Sequence, residues 1–157
     1  MNKIIGLIAF SIFISYCSSD SSTTSAGTTA AQSSADRFTL GDCSTLMTPA
    51  TTFSSIYTSF FSLQQSSSSK GCAGSSCHTG SAGGWSMGSS ASSAYTSMVG
   101  KTANSGLALV TASSLSGSLI LTRVNKSSGT MPSGGTLWAE ADVTSLARWI
   151  CQGALNN

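Results

Sequence analysis

Two thiols and an imidazole stand close together in one Ser/Gly-rich stretch, Gly71-Cys72-Ala73-Gly74-Ser75-Ser76-Cys77-His78. His78 is the single histidine of the 157 residues, and it directly follows the second cysteine. Side chains of these types close disulfides, bind zinc, or attach and ligate a haem. The common haem-attachment pattern is C-x-x-C-H. Its logic is that two thiols add across the two vinyl groups, and the neighbouring histidine then faces the iron from the proximal side. Here the pattern is C-x4-C-H, so the spacer must bulge while holding both sulfurs in place. Ala73, Gly74, Ser75 and Ser76 are all small enough to do so. Two other chemistries use the same residues. Cys72 and Cys77 could close a small-loop disulfide, leaving His78 a plain loop residue. Cys43, Cys72, Cys77 and His78 formally supply a zinc set, although regular C-x2-C pairs are missing. A later loop, Gly129-Thr130-Met131-Pro132-Ser133-Gly134-Gly135, carries a thioether. With no second histidine, Met131 is the best available soft ligand for an axial position. Met47, Met87 and Met98 are expected to fill gaps in the core.

Composition narrows the function classes. Only 8% of residues are charged, against about 25% in ordinary domains. Hydroxyls supply the polar surface instead, with 36 Ser and 18 Thr. Seven scattered basic residues and a net charge of +2 give no electrostatic footprint for nucleic acid and no basic membrane-surface helix. One histidine excludes sites that need two. Five acidic residues, Asp20, Asp36, Asp42, Glu140 and Asp142, leave little for carboxylate catalysis. No Ser-His-acid or paired-carboxylate arrangement is expected, so an enzyme is not expected either.

The chain divides into three parts. Residues 1–16 read as a signal peptide: Lys3 is the positive start, and Ile4 to Ser15 is an apolar run of twelve, short of the ~20 that span a membrane. Ile14-Ser15-Tyr16-Cys17 resembles the end of a bacterial lipoprotein signal, in which the cysteine is lipidated and becomes the first mature residue. An ordinary secretory signal cleaved nearby and an uncleaved anchor are the alternatives, and all three place the domain outside the cytoplasm. Residues 17–36 then form a Ser/Thr-rich tether beginning at the lipidation candidate Cys17. From Ser18 on, the tether has no aromatic or branched aliphatic residue with which to order itself. Residues 37–157 are the domain.

Short helices must position the chemistry. Phe53, Ile56, Tyr57, Phe60 and Phe61, at offsets 0, 3, 4, 7 and 8, predict one helical face within Thr51 to Gln65. Ala91 to Val99 is expected to be a short helix with Tyr95, Met98 and Val99 inward. Leu115, Leu119, Ile120 and Val124 predict another, begun by Ser113 or Ser114. Val143, Leu146, Ala147 and Ile150 predict a last helix closed by Gly153. Leu107 to Thr111 is the lone strand candidate. Long Gly/Ser loops join these pieces, and an apolar cofactor at the centre would help so loop-rich a chain to build a core.

From Phe53 to Ala154 the sequence resembles small monohaem c-type cytochrome domains. The resemblance rests on Cys72-x4-Cys77-His78, on Met131-Pro132-Ser133-Gly134-Gly135, and on Trp149-Ile150-Cys151-Gln152-Gly153-Ala154 in the final helix. It departs from the usual pattern in its longer spacer and in Ala139, where a Ser or Thr often caps the last helix. The resemblance implies a mainly α fold of short helices and long loops around haem c. Cys72 and Cys77 would hold the haem, with His78 the proximal and Met131 the distal iron ligand. In such domains the first and last helices cross, which implies a Cys43–Cys151 disulfide; two buried free thiols are the alternative. Trp85, Trp138 and Trp149 would be core or haem-wall residues. Arg123 could pair with a haem propionate, or be a solvated surface residue. The implied function is an extracytoplasmic electron carrier, lipid-anchored to a bacterial membrane, that meets redox partner proteins transiently. Peroxidase-like activity would require an open distal site. The alternative function is a disulfide-stapled surface lipoprotein without haem, acting as an interaction module.

Overall fold

A computed structural model describes residues 36–62, 72, 78, 84–127, 131 and 137–157. The expected signal peptide, the lipidation candidate Cys17, all but the last residue of the tether, and Cys77 lie outside the described residues.

The described chain is mainly α. Helix α1 (Phe53–Ile56) continues directly as a π-helical turn over Tyr57–Phe61. Three further helices follow: α2 (Ala91–Met98), α3 (Leu119–Asn125) and α4 (Glu140–Cys151). Among the described residues there is no strand and no helix long and apolar enough to cross a membrane.

The Phe53–Phe61 face is buried as its spacing predicts: Phe53, Ile56, Phe60 and Phe61 are in the core and Tyr57 is half-buried. Thr52 caps the N-terminus by accepting the Ser55 N–H at 3.2 Å. Helix α2 starts with a reciprocal capping box, in which the Ser90 hydroxyl accepts the Ser93 N–H and the Ser93 hydroxyl accepts the Ser90 N–H. Its inward face is Ala94 and Met98, with Tyr95 and Val99 only half-buried. The amphipathic stripe of α4 buries Val143, Leu146, Ala147, Trp149, Ile150 and Cys151. The helix closes as a Schellman turn: Ala154 N–H reaches the Trp149 carbonyl at 2.9 Å and Gly153 N–H the Ile150 carbonyl at 3.1 Å. Gly153 takes φ +97°, a left-handed conformation that glycine adopts without a Cβ penalty. At the other end of α4 Ala139 offers no capping oxygen, so the Asp142 carboxylate alone reaches back to the Ala139 N–H at 3.2 Å.

Helix α3 departs from expectation. It begins at Leu119, not at Ser113 or Ser114. Ser113 sits at φ +58°, and 111–118 coils as a turn tied by the buried Ser118 hydroxyl, which donates to the Ser114 carbonyl at 2.7 Å and accepts from the Thr111 N–H at 3.0 Å. The first N–H groups of α3 are then taken by carbonyls of the preceding loop, Leu119 to Ala108 at 3.0 Å and Ile120 to Leu109 at 3.2 Å. That loop is where a strand was expected. It forms only isolated bridges, Val99 with Val110 and Thr102 with Ala108, turned back by Gly106 at φ +79°.

One continuous core joins all four helices. Two aromatic groups organise it. Phe60 lies on Trp138 with centroids 4.4 Å apart, and Phe53 contacts Trp149 at 5.1 Å and Tyr95 at 5.3 Å. Met87 and Met98 are fully buried in this core, as expected, but Met47 is not: it is 52% exposed. Its segment is held by the buried Leu46 side chain and by backbone carbonyls. The Gln152 amide donates to the Met47 and Pro49 carbonyls at 3.1 and 2.9 Å, while its oxygen accepts the Thr51 N–H at 2.8 Å.

A disulfide joins Cys43 to Cys151, 108 residues apart. It ties the turn before α1 to the last residue of α4. The turn itself is built on Asp42, whose carboxylate accepts from the Ser44 hydroxyl and from the Ser44 and Thr45 N–H groups. These bonds, the Ser44 hydroxyl foremost, hold the Asp42 carboxyl below its usual value of 3.8. Because the folded value is depressed, the turn's stabilisation is present at neutral pH and fades as pH falls through the acid range.

Candidate functional site

The site grows out of the end of the π turn. Its i→i+5 bonding ends with Ser62 N–H on the Tyr57 carbonyl at 2.8 Å, and the Phe60 carbonyl accepts the Cys72 N–H at 3.2 Å. This places the first thiol on the core, where Cys72 is 9% exposed. His78 is drawn to the same place. Its N–H donates to the Cys72 carbonyl at 3.2 Å, and its own carbonyl accepts the Met87 N–H at 2.7 Å. The imidazole is 6% exposed and lies against the Trp85 ring with centroids 4.2 Å apart. Gly84, at φ +87°, starts the segment that carries Trp85 and Met87, and a Cβ there would strike the Asn104 side chain.

Met131 reaches the core from the opposite end of the sequence. It is half-buried, packs against the same core cluster that contains Cys72, and its N–H donates to the Arg123 carbonyl at 3.3 Å. Cys72, His78 and Met131 are therefore all anchored through their backbones to core elements. Cys77, the second thiol of the motif, lies outside the described residues, as do the neighbours of Met131 in its Gly-rich loop. Arg123 is exposed, in keeping with a solvated surface role for its side chain.

Cys43 and Cys151 are paired with each other. Cys43 is thus withdrawn from the four-residue zinc set, and the alternative of two free thiols does not hold. Among the described residues no group of three or more His, Cys, Asp and Glu is gathered as a metal ion would require.

Trp85 as the partner of the imidazole was not readable beyond a general core or cofactor-wall role, although its position seven residues after the sole histidine was a usable signal. A separate pocket of about 220 Å³ opens between α1 and α4, lined by Ser55, Ser59, Ser145 and Arg148 among others. It contains none of the candidate residues. Comparison with known families, with curated proteins and with solved structures finds no match.

Proposed function

We propose that the chain is an extracytoplasmic electron carrier with one covalently attached c-type haem, His78 and Met131 being the axial ligands. The observation that carries this reading is the sole histidine of the chain. It directly follows the second cysteine of a spaced pair, it is buried at 6% exposure, and it is bonded through its backbone to the first cysteine.

The residues present suit that group by donor type: a buried thiol and imidazole, and a thioether packed against the same core, its backbone bonded to the end of α3. The haem would supply reversible one-electron chemistry at iron, and His/Met ligation raises its potential relative to two histidines. The chain's part is to hold the ring, exclude water with Phe60, Trp85 and Trp138, and leave an edge at which a partner docks through a small, transient contact. No substrate bond is made or broken.

The test is the visible spectrum of the full chain, matured in a host that assembles c-type cytochromes, followed by extraction into acidified acetone. We expect a low-spin haem spectrum whose colour stays with the polypeptide. Replacing Cys72 by Ala should leave one thioether and shift the reduced α-band. Protein without a Soret band would instead support the disulfide-stapled interaction module, with Cys72 bridged to Cys77. Colour that leaves with the solvent would exclude covalent attachment.

The same reading includes a lipid on Cys17. The nineteen residues from Ser18 to Asp36 would have a root-mean-square reach of about 25 Å as a flexible tether, enough to clear a head-group layer. Cys17→Ser should release the protein into the soluble extracytoplasmic fraction with its spectrum intact. Retention of that variant in the membrane fraction would count against the lipid anchor.

A further inference from the structure

Helix α3 ends with three carbonyls that cannot bond within the helix, and each of them has been given to a residue far away or across the loop. The Asn125 carbonyl accepts the Arg37 N–H, at 2.6 Å. The Val124 carbonyl accepts from Arg37 Nη1, at 3.4 Å. The Arg123 carbonyl accepts the Met131 N–H, at 3.3 Å. The other arm of the same guanidinium, Nη2, donates to the Trp138 carbonyl at 2.7 Å. One side chain therefore grips both ends of the segment that carries Met131, at Val124 before it and at Trp138 after it.

The grip is reinforced. The Arg37 guanidinium sits over the Phe38 ring, 4.6 Å from its centroid. Phe38 exchanges two hydrogen bonds with the Asn125 amide, at 3.1 and 2.9 Å. A cation at a helix C-terminus is further favoured by the helix dipole. The adjoining Lys126–Asp36 pair, at 2.8 Å with Asp36 58% exposed, adds little by comparison.

We infer that Arg37 is the positioning residue for Met131, bracing the last turn of α3 and the Trp138 carbonyl so that the Met131 backbone is kept at a fixed place against the core. This rests on the proposed role of Met131 as distal ligand. Arg37 touches no cofactor itself; it acts through the last turn of α3. A lysine at 37 keeps the charge but has no planar fork to reach two carbonyls at once.

The experiment compares the parent with Arg37→Met and Arg37→Lys, in the full chain, by two readouts. In haem-free protein, the Met131 amide should exchange its hydrogen about tenfold faster or more in Arg37→Met, while α4 amides such as Leu146 change little. In haem-loaded protein, imidazole should displace the distal ligand at a roughly tenfold lower concentration, with Arg37→Lys between the two and the α4 amides again unmoved. If Met131 exchange and imidazole competition shift no more than the α4 amides do, Arg37 is not a positioning residue. If the loaded parent never shows sulfur ligation, the distal-ligand reading fails, and the exchange data still decide whether Arg37 fixes the Met131 backbone. Should Arg37→Met not fold, Arg37→Lys decides the matter, because a parent-like result in both readouts overturns the proposal.

Discussion

Replacing Cys43 or Cys151 by Ser should destabilise the domain by about 4–5 kcal/mol, the upper part of the range for native disulfides. The magnitude follows from sequence separation. The bridge joins residues 108 apart, so almost the whole domain lies in the loop that it closes, and the unfolded chain loses correspondingly more freedom. A domain of this size has roughly 5–15 kcal/mol in all, so the loss is a large share. The rest of the clasp is polar: Gln152 on 46–51, and Asn157 on the start of α1, where its side chain accepts the Phe53 N–H at 2.9 Å and its carbonyl the Ser54 N–H at 3.0 Å. Urea unfolding of the parent and the Cys43→Ser variant measures the difference. A loss below about 1 kcal/mol would mean that this clasp holds without the covalent bond.

In the haem-loaded protein proposed above, Met131→Ala should remove the distal ligand. Met131 is half-buried on the core, and alanine cannot reach an iron from the same backbone. In the oxidised protein the weak red-edge absorption that marks sulfur bound to iron should vanish, and the potential should fall on the order of 0.1 V or more. Spectra and a potentiometric titration of the matured protein measure both. An unchanged spectrum would transfer the role to Met98 or Met87, each fully buried.

Much of the helical frame was legible because burial writes a period into the sequence. The five residues at offsets 0, 3, 4, 7 and 8 mark the α1 face, and the α4 stripe with its closing glycine is equally plain. What failed had a different physical origin. Ser113 and Ser114 look like helix caps, but the loop carbonyls of Ala108 and Leu109 cap α3 instead, and no local pattern encodes a carbonyl arriving from another segment. Met47 looks like core filling, yet it is exposed, and its neighbour Leu46 takes the core position instead. Arg37, Asn125, Gln152 and Asn157 hold loops together through side-chain to backbone bonds spanning from 87 to 106 residues. Such ties have no periodicity, and a sparse polar residue in a Ser-rich chain does not announce its partner. Of the candidate site, the residue types and the nearness of Cys72 and His78 in one motif were readable; the backbone bond between them and the supports, Trp85 beside the imidazole and Arg37 behind the Met131 segment, were not.

The clasp between the two ends also sets an order of events as the chain forms. Helix α1 has its first N–H groups met by Asn157, its Phe53 ring covered by Trp149, and the turn before it bonded to Cys151. These partners lie far along the chain, 104 residues from Phe53 to Asn157 and 108 from Cys43 to Cys151. Closure over so long a span is slow compared with local helix formation. Sealing of α1, and of the Phe60 carbonyl that holds the Cys72 N–H, therefore follows the forming of local helices. Under the proposed haem attachment, this order would leave the Cys72 thiol open to chemistry before it is sealed, and a variant that closed early would be expected to mature poorly even if its final fold were more stable.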